Sequence, residues 1–87
     1  MKMGRIPAPA AIVNPDLRDK ARLAMANGQP AWYLAERCGW PFPEHFSNQL
    51  HSKQITLTPL TVARFAKLAA VIQFSGPLFL DPTEVDA

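Results

Sequence analysis

Residues 34–54 have the sequence LAERCGWPFPEHFSNQLHSKQ, in which a glycine and two prolines separate two helix-forming segments. The first segment belongs to a helix that opens at Pro30 and ends at Gly39, because glycine takes the positive φ that terminates helices. Ala35 is small enough for a second helix to cross closely, and Trp40 supplies an apolar side chain just after the turn. The stretch therefore predicts a helix-turn-helix.

The second helix of this unit, predicted from about Pro43 to His51, has two clear core residues. On a wheel of about 100° per residue, Phe46 and Leu50 define the inward direction. The side chains that point away from this direction or lie at its margins are Glu44, His45, Ser47, Asn48, His51 and Ser52. A solvated face needs no partner, yet amides, histidines, acids and hydroxyls are also what a helix presents to a DNA major groove.

Capping residues predict two further helices. Asn14 and Thr58 are each followed by proline, which is the usual pattern of an N-cap and first helical position. The helix after Asn14 ends at Gly28. The helix after Thr58 continues to Ile72 and is apolar over more than half its circumference, so we expect it to be the most buried element.

The remaining segments are assigned from composition. Residues 1–13 are rich in proline and alanine and predict a flexible N-terminal arm, whereas residues 81–87 form an acidic tail. Residues 52–57 are expected to form a loop, and residues 74–80 either a closing helical turn or an extended segment packed on the core. We therefore expect an all-α fold: a small four- to five-helix bundle whose helix-turn-helix domain spans residues 14–80.

Composition and charge limit the class of protein. With 48% hydrophobic and 18% charged residues, the chain has a globular profile. One cysteine permits no internal disulfide, and the N-terminal apolar run is too short for a membrane span, so we expect a cytoplasmic protein without membrane contact. Residues 1–80 hold nine bases against four acids, a balance that suits a polyanionic partner and is also common in soluble domains.

Catalytic and metal-binding patterns are weak. Six positions on a helix place His45 and His51 about 120° apart, whereas a ligand pair needs one shared face. Cys38 falls at a core position, where a thiol is inert. Glu44 shares a face with His51, but no nucleophile or second carboxylate accompanies them. We expect no enzymatic activity, no cofactor and no metal.

Three segments together resemble the Xre/Cro family of lambda-repressor-like DNA-binding domains. They are LAERCGW at residues 34–40, FSNQLHSKQI at 46–55 and TPLTVARFAKLAAVI at 58–72. In order and spacing they parallel the family's Leu-Ala pair, turn glycine, hydrophobic-Ser recognition helix, polar-Lys-polar loop and fourth helix. The resemblance covers roughly residues 14–80. It implies a lambda-repressor-like fold and a transcriptional regulator, a phage- or prophage-type repressor or autoregulator, that reads the major groove with its third helix.

Under this resemblance the third helix is the recognition helix. Glu44, His45 and Asn48 lie near its N-terminus and are expected to read bases. The residues expected to contact phosphates or the groove rim are Ser47, His51 and Lys53. Further basic residues lie on the other predicted helices, at Arg22, Arg37, Arg64 and Lys67.

Additional DNA backbone contacts are expected from the N-terminal part of the chain. In this family a glutamine at the start of the second helix commonly touches a phosphate. Pro30 and Ala31 occupy the matching positions here, so the nearby Gln29 is the candidate for that contact. Lys2 and Arg5 on the arm are expected to reach the minor groove.

The small number of phosphate-binding bases predicts weak binding by one protomer. A homodimer on a palindromic operator would double the contact set, because two protomers bind half-sites about one helical turn apart. Candidates for the dimer surface are Phe74, Leu78, Phe79 and Leu80, and the alternative is that a domain of this size needs all four for its own core.

A protein-binding role is the alternative hypothesis. A small helix-turn-helix protein can bind and modulate a host protein, or act as an antitoxin that binds both toxin and DNA. The acidic tail suits such a role, as do the aromatic side chains of Trp32, Tyr33, Trp40, Phe42 and Phe79. Trp32 and Tyr33 are adjacent on one helix and therefore about 100° apart, so at least one should be partly exposed.

Overall fold

Four helices and three short strands make up residues 9–82, the part of the chain that the computed structural model describes. The helices are α1 (Pro15–Ala26), α2 (Ala31–Cys38), α3 (Pro43–His51) and α4 (Pro59–Ile72). The strands are β1 (Ala10–Val13), β2 (Ile55–Thr56) and β3 (Phe79–Leu80). The four predicted helices are confirmed. The fold is mostly helical but is not the expected all-α bundle, because a small sheet accompanies the helices.

The predicted caps hold the beginnings of α1 and α4. Asn14 Oδ1 accepts a 2.9 Å hydrogen bond from the backbone N–H of Asp16, and its Nδ2 donates at 2.6 Å to the carbonyl of Pro77. The Thr58 hydroxyl oxygen accepts from the backbone N–H of Thr61 at 3.2 Å. Asn14 is buried, so its cap also joins α1 to the segment that precedes β3.

Strand β1 lies at the centre of the sheet, antiparallel to β2 on one side and to β3 on the other. Ala11 faces Ile55 in the first pairing, and Ile12 faces Leu80 in the second. One further backbone hydrogen bond extends each pairing by a residue. The sheet therefore joins the segment before α1 to the segments that follow α3 and α4.

The sheet corrects two sequence-based predictions. Residues 10–13 were assigned to a flexible arm and residues 52–57 to a loop, but both segments contain paired strand residues. Val13 is fully buried, so the end of the predicted arm belongs to the core. For residues 74–80 the structure has the extended alternative rather than a helical turn. Residues 1–8 and 83–87 lie outside the described chain.

The core fills the space between the helices and β1, with Trp40 near its centre. Trp40 is 3% exposed, and its ring centroid lies 4.9 Å from that of Phe46 and 5.1 Å from that of Phe65. Helix α2 packs against both α3 and α4. The indole therefore fills the position where the turn and two helices meet, as predicted for the apolar residue after the turn glycine.

One expectation about the C-terminal third is wrong in part. Helix α4 buries Phe65, Leu68, Ala69 and Ile72, but three other apolar residues of the predicted stripe, Leu60, Ala63 and Ala66, are exposed. The candidate dimer-surface residues are half-buried: Phe74, Leu78 and Phe79 pack against the core and Leu80 belongs to β3, and their role in a dimer stays a prediction. No helix within residues 9–82 is long and apolar enough to cross a membrane.

Candidate nucleic-acid interface

The turn between α2 and α3 starts at Gly39. This residue has φ = 95°, the left-handed conformation, and its N–H donates to the carbonyl of Ala35 at 3.0 Å. The N–H of Trp40 donates to the same carbonyl at 2.9 Å. Helix α3 then begins at Pro43, with extended backbone at Phe42. The predicted glycine turn is therefore confirmed.

A side-chain hydrogen bond fixes α3 on this turn. Trp40 Nε1 donates to Oε1 of Gln49 at 2.8 Å, in a partly buried position. The guanidinium carbon of Arg64 lies over the indole, 5.9 Å from the ring centroid. Gln49 is thus occupied in holding α3, and the outward face of the helix is left to its neighbours.

The outward face of α3 carries the three predicted base-reading residues. Glu44, His45 and Asn48 are all exposed, whereas Phe46 and Leu50 are fully buried. The wheel is therefore confirmed for these five side chains. Ser47 is half-buried at the margin, and His51 is exposed at the C-terminal end of the helix.

An exposed aromatic ring stands next to this face. Phe42 is 56% exposed, and its ring meets that of His45 edge to face at a centroid distance of 5.3 Å. The N-terminal end of α3 therefore presents a flat apolar surface as well as polar groups. A base step or a protein side chain could pack on such a surface.

Arg18 holds the C-terminal end of α3. Its Nε donates to the carbonyl of Leu50 at 2.9 Å, and its Nη2 donates to the carbonyl of Val13 at 3.5 Å. The Ser52 hydroxyl donates to the carbonyl of Asn48 at 2.5 Å. Since the last carbonyls of a helix have no partner within it, these bonds satisfy groups that would otherwise face solvent. They also connect α3 to α1 and β1.

Positive charge gathers around this end of α3. We define the basic cluster as Arg18, Arg22, His51 and Lys53. Arg22 Nη2 lies 3.5 Å from Nδ1 of His51, and its Nη1 forms an exposed ion pair with Asp19 at 3.5 Å. Burial, and then the charges of Arg22 and Arg18, lower the pKa of His51 below its ordinary value of 6.5. A nearby anion would oppose this shift, because it favours the protonated imidazole.

Arg18 was not predicted from the sequence as a member of the basic cluster. Arg18 and Arg22 are four positions apart on α1 and therefore share one helical face. That spacing is the signal in the sequence, but it does not show that the face lies against the end of α3. The contact depends on tertiary packing.

The other predicted backbone contacts do not join the α3 residues. Gln29 lines a separate groove between the C-terminal ends of α1 and α4, together with Asn27 and Gln73. Its Oε1 is buried there without a hydrogen-bond partner. The phosphate contact by Gln29 stays a prediction. Lys2 and Arg5 lie outside the described residues.

The acidic, histidine and cysteine side chains are the possible metal ligands and nucleophiles of the chain. Among residues 9–82, no group of three such side chains is placed to hold a metal ion. Cys38 is fully buried, and burial raises the pKa of its thiol against the opposing charges of Arg37 and Lys67. A buried thiol of this kind packs as a small apolar side chain.

No protein-family model, curated protein or solved structure matches this chain. Its function is therefore inferred from the arrangement of its own side chains.

Proposed function

We propose that this protein is a sequence-specific DNA-binding transcriptional regulator that inserts α3 into the major groove. The observation that carries the proposal is the division of α3 into two faces. Phe46 and Leu50 are fully buried, while Glu44, His45 and Asn48 are exposed on the opposite side. A helix that is held by its apolar side and offers polar groups outward meets the requirement of a recognition helix.

The exposed groups match the chemistry of base edges. The Asn48 amide both donates and accepts, which suits N6 and N7 of adenine. The Glu44 carboxylate accepts from N4 of cytosine, and an imidazole N–H of His45 donates to the acceptors of guanine. All three side chains lie in the first two turns of α3, the part of a recognition helix that contacts bases.

The basic cluster supplies the phosphate contacts. Lys53 and Arg22 are exposed at the C-terminal end of α3, next to His51. Phosphate contacts set the register and orientation of a protein on the duplex, whereas base contacts set the sequence. With bases read near the N-terminus of α3 and phosphates bound at its C-terminus, the helix is oriented along the groove.

The operator is proposed to be palindromic and the protein to bind it as a homodimer. One protomer presents few exposed basic side chains beside α3. Affinity for DNA depends mainly on the number of phosphates that such side chains neutralise. Two protomers on half-sites about one helical turn apart double that number. A phage- or prophage-type repressor or autoregulator in the cytoplasm is the specific form of this hypothesis.

The test is selection from a random duplex library, followed by titration of the enriched sequence at several salt concentrations. We expect a palindromic consensus and a steep loss of affinity as salt rises. A library that yields no consensus after repeated rounds would contradict the proposal. A consensus without a palindrome would contradict the homodimer.

A protein-binding role is the second candidate, and the exposed aromatic residues favour it. Trp32 is 59% exposed, and its ring packs edge to face on that of half-buried Tyr33 at a centroid distance of 6.0 Å. The expectation that one of this pair is exposed is confirmed. Exposed tryptophan is typical of interface anchors. If the protein binds a protein partner through this surface, Trp32→Ala should abolish capture of that partner and leave affinity for DNA unchanged.

A further inference from the structure

An open pocket of about 470 Å³ lies beside the C-terminal end of α3. This volume is within the range of small-molecule binding sites, which extends from about 300 to 1,000 Å³. The pocket is formed where β1, the start of α1, and the segment after α3 meet, and Pro82 closes one side. Three segments that are distant in sequence, around residues 12–18, 51–54 and 82, therefore contribute to it.

Part of the pocket lining is apolar, and we call it the apolar wall. It consists of Ile12 from β1, Pro15 from the first turn of α1, and Pro82. Ile12 and Pro82 are half-buried, so part of the surface of each remains exposed. These side chains offer a surface for a ring or a short aliphatic chain.

The rest of the lining is basic and polar, and we call it the cationic wall. Arg18 and Lys53 supply its positive charges and His51 is also part of it, while no Asp or Glu is among the lining residues in the described chain. Arg18 is fixed because its Nε and Nη2 donate to two backbone carbonyls. A guanidinium that is already held in place loses little conformational entropy when an anion binds. The Ser52 hydroxyl and the Gln54 amide add polar groups at the same wall.

We propose that this pocket binds a small organic anion, in which a carboxylate or phosphate group is attached to a compact apolar body. The cationic wall takes the anionic group and the apolar wall takes the body. Inorganic phosphate can contact only the cationic wall, and a neutral molecule of the same shape can pack only on the apolar wall. The pocket lies apart from the base-reading face of α3 but shares Arg18, His51 and Lys53 with the basic cluster, and binding of a small anion to it does not require DNA.

The test uses NMR titration of the free protein, without DNA, and four probes: phenyl phosphate, benzoate, inorganic phosphate and benzamide. We expect phenyl phosphate and benzoate to produce saturable shifts at the amides of Ser52, Lys53 and Gln54. We expect phenyl phosphate to bind about tenfold more tightly than inorganic phosphate, because the ring is removed from water. Benzamide should produce no saturable shift at these amides.

Two charge-neutralising variants separate a specific site from general attraction. Lys53→Gln should weaken phenyl phosphate binding about tenfold. Lys67→Gln removes the same charge from an exposed position on α4 and should leave binding unchanged. Arg18→Lys retains the charge but loses the planar fork, and it should also weaken binding.

The proposal is overturned by any of three results. If benzamide produces the same saturable shifts as benzoate, the negative charge of the ligand is irrelevant to the site. Equal weakening by Lys67→Gln and Lys53→Gln means that the anion follows net charge alone. Equal affinities for phenyl phosphate and inorganic phosphate mean that the apolar wall takes no part.

Discussion

The indole N–H of Trp40 donates a 2.8 Å hydrogen bond to Oε1 of Gln49, which ties the turn directly to the helix that follows it. Trp40 is also packed against Phe46, the first buried residue of α3. One side chain thus contacts α3 by both its polar and its apolar part. The direction in which the polar face of α3 points is set by this pair of contacts.

Replacing this indole should destabilise the fold. Trp40→Phe removes the donor from a partly buried Gln49 and leaves space in the core, so we expect the free energy of unfolding to fall by about 1–3 kcal/mol. Urea denaturation followed by far-UV circular dichroism measures the change. Trp32→Phe is the matched control, because Trp32 is exposed, and it should change stability by no more than about 0.5 kcal/mol. Equal effects of the two variants would show that the hydrogen bond is unimportant.

The turn glycine is required for its backbone conformation rather than for space. A Cβ at Gly39 would meet only Cγ of Arg64 at 3.9 Å, an ordinary contact, but φ is +95°. We expect Gly39→Ala to lower the free energy of unfolding by about 1–2 kcal/mol. Gly39→Asn should cost less, since asparagine tolerates the left-handed region. A cost that rises with side-chain size regardless of residue type would instead indicate steric crowding.

Base-reading and phosphate-binding residues should respond differently to substitution. Asn48→Ala and Glu44→Ala should change the preferred sequence, because each removes a contact to a base edge. Lys53→Ala should weaken all duplexes about equally and reduce the dependence of log affinity on log salt by about 1. Selection and salt titration of each purified variant measure both effects. Unchanged preference and affinity in Asn48→Ala would remove α3 from sequence recognition.

Stability should depend on pH through His51. Because burial and the charges of Arg22 and Arg18 lower its pKa, the folded protein binds this proton less tightly than the unfolded chain. The contribution of His51 to stability is therefore complete above pH 6.5 and is lost as the pH falls through the lowered pKa. Between about pH 7.5 and 5.5, His51→Gln should lose less stability than the wild type in urea denaturation. The same loss in both proteins would contradict this assignment.

The helices were predictable from sequence because their signals are local. Asn14 and Thr58 cap helices with their own side chains, within three residues of the cap. Gly39 ends α2 with its own φ angle. The inward and outward sides of α3 follow from a single periodicity, anchored by Phe46 and Leu50. Each of these features is decided by neighbours in the sequence.

The strands and the basic cluster were not predictable in the same way. Strands β2 and β3 have two residues each, which is too few to show an alternating pattern. The sequence at the start of strand β1 is rich in proline and alanine, a composition that is typical of a flexible arm. Its pairing depends on residues far along the chain, as does the contact between Arg18 and the end of α3. Non-local contacts of this kind leave no pattern within one segment.

The central position of β1 has a consequence for biosynthesis. Residues 10–13 leave the ribosome before both of their partner strands, and β3 follows only after all four helices. The sheet therefore closes only after residue 80 has been synthesised, although the helix-turn-helix is synthesised well before. During that interval Val13, which the finished protein buries completely, lacks its cross-strand partner Phe79. A nascent chain stalled before residue 79 is expected to expose this segment to chaperones and proteases.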